Sequence, residues 1–139
     1  MIALAPIGRV LFSLIFILSA PHLFGHGAVA AARSAGVPLA QFAVPLAGII
    51  ALVGGLMVMV GFYARIGAIL LFVFLVPVTL FMHRFWGAGD AQMHQMQMTN
   101  FIKNLSLIGA TLFFMYAGPG PVSFDARAEH GGVLHPPHV

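Results

Sequence analysis

Long apolar runs separated by short polar segments dominate this chain. Four runs, at about residues 7–24, 42–62, 66–82 and 101–117, are apolar over nearly their whole length. A helix needs roughly 17 to 25 apolar residues to cross about 30 Å of hydrocarbon. The pattern therefore predicts four membrane-spanning helices. Because the first run extends to Phe24, we interpret it as a span rather than as a cleaved secretion signal.

The connections between the runs limit the topology. Only Tyr63, Ala64 and Arg65 separate the second run from the third, so these two helices must be antiparallel neighbours. We expect an all-α fold, an integral membrane four-helix bundle, over residues 1–122. Residues 123–139 are polar and lack a periodic apolar face, which predicts a flexible tail.

The composition supports a membrane protein. Of 139 residues, 60% are hydrophobic and only 6% are charged, whereas soluble domains carry about 25% charged residues. The six Lys and Arg residues are scattered, so nucleic acid is not an expected partner, whereas membrane lipids are. The absence of cysteine excludes disulfides, thiolate metal sites and cysteine-ligated iron–sulfur clusters.

Small residues recur at helical spacing in two of the runs. They are Ala47, Ala51 and Gly55 in the second run and Ser106, Gly109 and Ala110 in the fourth. Helix backbones approach closely in membranes where side chains are small. We interpret these residues as helix contacts, within the chain, with other membrane subunits or in self-association.

Positive charge divides evenly between the two membrane faces. Arg9, Arg65 and Arg127 lie on one face and Arg33, Arg84 and Lys103 on the other. If Arg84 and Lys103 are held in a site, they do not act as topogenic charges. The balance then predicts that both termini are cytoplasmic in a bacterial inner membrane.

Polar side chains gather where the first and third helices end and the fourth begins. Gln97, Asn100, Lys103 and Asn104 share one side of the fourth helix. The candidate ligand-binding residues are His83, Arg84, Trp86, Gln97, Asn100, Lys103 and Asn104. Interfacial snorkelling of Lys103 and a membrane-belt role for Trp86 are the alternative interpretation.

A group of methionines and one histidine precedes the fourth run. Met93, His94, Met96 and Met98 offer soft thioether and imidazole ligands, which suit copper in its lower oxidation state. Copper handling is therefore one functional alternative. The alternative interpretation, which we favour, is that the methionines fill apolar space on an amphipathic helix.

Several of these residues resemble the DoxX family. The resembling positions are His83, Phe85-Trp86, Gln97, the segment from Asn100 to Asn104, Gly118-Pro119-Gly120, the segment from Gly8 to Leu11, the segment from Ala35 to Pro38, and the segment from Gly54 to Arg65. This resemblance covers most of the chain. It implies a four-helix inner-membrane protein, in a family whose members include a subunit of thiosulfate:quinone oxidoreductase.

The resemblance implies an accessory subunit of a respiratory or oxidoreductase system, with a quinone as possible ligand. Arg84, Asn100, Lys103 and Asn104 could donate hydrogen bonds to the quinone carbonyls, with Trp86 and Phe101 beside the ring and His83 or His94 exchanging protons. No catalytic residue is identified. The chain shows no thiol, dinucleotide fingerprint or flavin motif, so a redox partner would supply the electrons. A structural subunit of a larger membrane complex is the other alternative.

Overall fold

The computed structural model describes residues 1–131, without the side chain of His130, and the rest of the predicted tail lies outside this range. The described residues form six α-helices and two short 3₁₀ segments, with no strand. The helices are α1 (Leu4–Ser19), α2 (His26–Ser34), α3 (Ala40–Val60), α4 (Ala64–Met82), α5 (Ala91–Ala117) and α6 (Phe124–Gly131). The 3₁₀ segments are Ala20–Phe24 and Phe85–Gly87.

Four long helices, α1, α3, α4 and α5, form the bundle. The helix α3 packs against α1 and α4, and α5 packs against α4. A ring contact between Phe12 and Phe114, with centroids 5.0 Å apart, joins α1 to α5. The core centres on Phe16, Val58, Leu71 and Leu75, all nearly inaccessible to solvent. The predicted class, an all-helical membrane bundle, is confirmed.

Three helical stretches are long and apolar enough to cross a membrane: Leu4–Phe24, Ala40–Val60 and Ala64–Gly87. Helix α5 has 27 residues and is therefore about 40 Å long, but its amide-rich first half lowers its hydropathy. Three of the four predicted spans thus correspond to helices that are long and apolar enough to cross a membrane. Spanning by α5 stays a prediction.

The small residues of α3 serve contacts inside the chain. A Cβ on Gly55 would lie 3.2 Å from Ile17, and one on Gly54 would lie 3.0 Å from the carbonyl oxygen of Gly67. By contrast, a Cβ on Gly109 in α5 would meet nothing within 4 Å. The small residues of α3 therefore bring α1 and α4 close, while Gly109 lies on an open face.

The α3–α4 turn and the start of α6 stabilise each other. Asp125 accepts hydrogen bonds from the backbone N–H groups of Tyr63 at 2.7 Å and Ala64 at 2.9 Å, and its own N–H donates to the Gly61 carbonyl at 2.8 Å. The carboxylate thereby caps α4. Residues 124–131 thus form a helix where the sequence predicted an irregular tail, because a polar contact rather than an apolar face holds them.

Two other helical segments lie outside the predicted spans. The helix α2 covers residues of a connection, and α5 begins at Ala91, ten residues before the fourth apolar run. The Asp90 side chain accepts a hydrogen bond from the Met93 N–H at 2.7 Å and caps α5. The Met- and Gln-rich segment is therefore the first part of α5.

Candidate functional site

A cavity of about 350 Å³ lies between α1, α4 and α5, and its size is typical of small-molecule sites. Its polar lining residues are Ser19, His22, His83, Lys103 and Asn104. Its other lining residues are Ile15, Phe16, Ala20, Leu23, Ala51, Phe74, Leu75, Val78 and Leu107. We call it the α1–α5 cavity. It combines an apolar wall with a few convergent polar groups.

Asn104 is the most deeply buried polar residue of this cavity. It is only 6% exposed, and its side-chain amide hydrogen-bonds to no residue in the described part of the chain. The amide atoms of Asn104 are not among the fully enclosed side-chain atoms without a partner, which in the described residues are Arg9 Nε and Ser13 Oγ, so the amide faces open space at the cavity wall. The Asn104 amide is therefore free to donate to, and to accept from, a molecule in the cavity.

His83 follows the last turn of α4 and is positioned by α5. Its Nδ1 lies 3.0 Å from Oε1 of Gln97. With the Gln97 amide in this orientation, Oε1 can only accept, so Nδ1 donates the hydrogen bond. A neutral imidazole then keeps Nε2 as an acceptor. Gln97 thus orients the His83 ring, which lines this cavity.

Lys103 carries the formal positive charge on the cavity wall. Its Nζ donates a hydrogen bond to Oδ1 of Asn100 at 3.4 Å, in exposed surroundings. Such a long, exposed contact holds the ammonium only weakly. Lys103 can therefore reorient towards a bound molecule, while Asn100 remains outside the lining.

Arg84 and Trp86 do not line this cavity, although the sequence analysis grouped them with His83 as candidate ligand-binding residues. They line a separate cleft with Phe81, Met82 and Gly87. Arg84 donates to the carbonyl oxygen of Ala35 and so ties the α2–α3 connection to the end of α4. The extended backbone of Arg84, with φ −77° and ψ 91°, breaks the helical register after His83.

The aromatic wall of the cavity also differs from the expected one. Trp86 packs against Phe101 with ring centroids 5.9 Å apart, outside the cavity lining. Phe16 and Phe74 line the cavity instead and meet edge to face, with centroids 6.3 Å apart. Trp86 and Phe101 therefore do not flank a ring bound there.

A second cavity, of about 380 Å³, lies beside the first. Its residues are Leu23, Ala28, Ala32, Val37, Pro38, Ala43, Val44, Leu46, Ala47, Ile50, Val73, Phe74, Pro77, Val78, Phe81 and Met82. We call it the α3–α4 groove. Every lining side chain is apolar, and Leu23, Phe74 and Val78 also line the α1–α5 cavity.

Helices α3, α4 and α5, and with them the α4 and α5 walls of the cavity, lie in the part of the chain that matches a known family. The sequence model of the SURF4 family matches residues 37–130. This chain belongs to the SURF4 family. The prediction of DoxX membership is therefore wrong, although most of the residues that suggested it lie within the matched region.

A relative of this SURF4-family chain supports the assignment to a membrane protein. The chain is 32% identical over 124 residues to the inner membrane protein YphA of Escherichia coli (strain K12), and the match covers 87% of each protein. No solved structure matches the chain significantly.

The SURF4-family chain does not assemble the predicted copper ligands. Met93, His94, Met96 and Met98 are all exposed on the first turns of α5. At about 100° per residue, Met93 and Met96 lie on a different helix face from His94 and Met98. The described residues also contain no group of three His, Cys, Asp or Glu side chains that could hold a metal ion. These four side chains therefore point from two faces of α5, and the copper interpretation stays a prediction.

Two polar features of this SURF4-family structure were not among the predicted site residues. Ser19 and His22 line the cavity from the end of α1 and the following 3₁₀ segment. No helical periodicity orients side chains in this short 3₁₀ segment, so spacing alone could not assign His22 to the cavity. At the opposite end of the bundle Arg9 is buried, being 2% exposed.

Proposed function

We propose that this SURF4-family protein binds the headgroup of a membrane quinone in the α1–α5 cavity. The observation that carries the proposal is Asn104, a residue only 6% exposed whose amide has no partner among the described residues and opens onto a mainly apolar cavity beside Lys103. A quinone presents hydrogen-bond acceptors on an otherwise apolar ring. Asn104 and Lys103 supply donors, and the walls at Phe16 and Phe74 supply apolar contact.

The charge of the cavity favours a neutral headgroup over a phosphate. Among the described residues, Lys103 is the one Lys or Arg in its lining, and no acid lines it. Phosphate groups are held best by bidentate arginines or by several charged donors. Arg84, which could have supplied such contacts, lines a different cleft and donates to Ala35. A carbonyl oxygen matches the remaining donors better.

We further propose an accessory role in a membrane oxidoreductase system. The chain contains no cysteine and no recognisable dinucleotide or flavin motif, so another subunit would reduce or oxidise the quinone. The DoxX resemblance no longer supports this role. The proposed role depends instead on the cavity and on the chemistry of quinones, which carry electrons between membrane redox enzymes.

We place the protein in a bacterial inner membrane with both termini in the cytoplasm. The relative YphA is an inner membrane protein. Arg84 and Arg9 are held by backbone carbonyls, and Lys103 lines the cavity. The remaining arginines are Arg65 and Arg127 on the side of the termini and Arg33 on the other side. This balance favours cytoplasmic termini by the positive-inside rule.

Binding of a short-chain benzoquinone to Asn104→Leu and Lys103→Met variants tests the headgroup proposal. A hydrogen bond to a buried group contributes about 1–2 kcal/mol, so we expect the Kd of each single variant to rise about tenfold. Equilibrium dialysis in detergent measures the Kd, and circular dichroism measures retained helix. Gln95→Leu, which changes an exposed amide of the same helix, is the matched control. Unchanged affinity in folded Asn104→Leu and Lys103→Met variants would remove the proposal.

A structural subunit is the second candidate, and the outer face of α5 favours it. Leu105, Ser106, Gly109, Leu112 and Phe113 share this face and are exposed. Small residues within such a face suit contact with another membrane helix. If this alone is the function, quinone affinity is absent or does not depend on Asn104. The same dialysis experiment therefore separates the two candidates.

A further inference from the structure

The α3–α4 groove is an apolar slot alongside the proposed headgroup site. Val44, Ala47 and Ile50 of α3 form one side, and Val73, Pro77 and Phe81 of α4 form the other. The eight-residue separation of Val73 and Phe81 corresponds to about 12 Å along the helix axis. The slot thus has the length and the chemistry to hold a hydrocarbon chain.

The groove and the α1–α5 cavity share part of their walls. Leu23, Phe74 and Val78 line both spaces, so the two spaces adjoin at these three residues. On α3, Ala47 lines the groove and Ala51, one turn further on, lines the cavity. Because alanine side chains are small, they leave room on the α3 side between the groove and the cavity.

We propose that the α3–α4 groove holds the isoprenoid tail of the molecule whose headgroup occupies the α1–α5 cavity. This inference rests on the proposed function and specifies its ligand as a long-tailed quinone. The tail passes the Leu23, Phe74 and Val78 wall and lies along α4. A tail-less quinone fills the polar cavity alone and leaves the groove to solvent or lipid.

The polarity of the two spaces supports one amphiphile rather than two independent occupants. Of the described side chains that line the two spaces, all of the polar ones line the cavity, and those of the groove are apolar. Each buried CH₂ of a tail contributes about 0.8 kcal/mol, so a groove joined to the headgroup site adds affinity for long tails. A bilayer acyl chain in the groove would make affinity independent of the quinone tail.

The test compares a decyl-tailed benzoquinone with the same benzoquinone without a tail. Ala47→Trp fills the groove from α3 while leaving the polar cavity residues unchanged. We expect its Kd for the tailed quinone to rise at least tenfold and its Kd for the tail-less quinone to stay within twofold of the original protein. Each Kd is compared at one detergent concentration, so that partition of the tail into detergent cancels.

The matched control is Ile49→Trp, which places the same ring on an exposed position of α3 and should change neither Kd. If Ala47→Trp does not fold, Ala43→Phe narrows the same groove with a smaller ring. Equal effects on both quinones, or no effect on either, would overturn the tail assignment while leaving the headgroup site intact. Failure of the original protein to bind either quinone would instead overturn the proposed function.

Discussion

A single buried arginine joins the start of α1 to the connection between α5 and α6. Arg9 is 2% exposed within the first apolar helix. Its Nη1 donates to the carbonyl of Pro119 at 2.6 Å and its Nη2 to that of Val122 at 2.7 Å. An ionisable group in a membrane segment is costly unless it is paired. These contacts offset part of that cost, since Nε is buried without a partner in the described residues, and they fix the chain between α5 and α6.

Replacing Arg9 by Met is expected to destabilise the protein strongly. Hydrogen bonds to a charged donor contribute about 1.5–3 kcal/mol each, so loss of both should lower the free energy of unfolding by on the order of 3 kcal/mol. Denaturant unfolding in detergent measures the change. The exposed Arg65→Met substitution is the control and should cost less than about 1 kcal/mol. Equal stability of the two variants would contradict a role for Arg9 in holding the α5–α6 connection.

Helical spacing related the candidate residues to one another on α5 but not beyond the end of α4. Gln97, Asn100, Lys103 and Asn104 share a side of α5, as their spacing indicated. Even so, Lys103 and Asn104 line the cavity, while Gln97 bonds to a lining residue and Asn100 to Lys103. Arg84 and Trp86 follow the end of α4, where the backbone is extended and no helical period relates neighbours. Their orientation depends on tertiary contacts that spacing does not encode.

At the scale of elements, the closest helix pair is α3 with α4. The glycines Gly54 and Gly67 face each other across this contact. A Cβ on Gly67 would lie 2.8 Å from the Cβ of Met57 and 3.0 Å from the carbonyl oxygen of Gly54. Neither atom is the end of a flexible side chain, so an added methyl group must push the two helices apart.

The substitution Gly67→Ala is therefore expected to destabilise the bundle despite the better helix propensity of alanine. Overpacking of this kind costs about 1–3 kcal/mol, which outweighs a propensity gain of about 1 kcal/mol. The matched control is Gly109→Ala, since a Cβ there meets nothing within 4 Å. Thermal unfolding should show a lower Tm for Gly67→Ala and an unchanged or higher Tm for Gly109→Ala. A raised Tm in both variants would refute the close contact.

Helix limits were predictable only where the apolar run and the helix coincide. For α3 and α4 they differ from the predicted spans by about two residues at each start. For α5 the run marks only the second part of the helix, because residues 91–100 are mostly polar yet continue the same helix from the Asp90 cap. The polar helix α6 depends on the Asp125 contacts with Tyr63 and Ala64. Hydrophobicity cannot reveal elements that are stabilised by caps.

At the scale of the whole molecule, composition determined the class but not the family. A chain with 60% hydrophobic residues must bury its helices in hydrocarbon, which led directly to an all-helical membrane bundle. Short motifs such as the segment from Asn100 to Asn104 suggested DoxX, whereas the similarity over residues 37–130 identifies the SURF4 family. Amides and aromatics at a helix start serve general interfacial purposes, so they distinguish families poorly.

Whether α5 crosses the membrane decides the meaning of the α1–α5 cavity, because the cavity is a transmembrane site only if α5 is a span. Its 27 residues are long enough, and its second half, after Asn104, is mainly apolar. The absence of natural cysteines makes single-cysteine labelling direct. With Gln95→Cys at the first part of α5 and Ala128→Cys in α6, we expect an impermeant maleimide to label the two positions from opposite sides of inverted and right-side-out vesicles. Labelling of both from one side would mean that α5 does not span, and that Lys103 and Asn104 lie at a membrane surface where water, rather than a lipid-soluble ligand, satisfies the Asn104 amide.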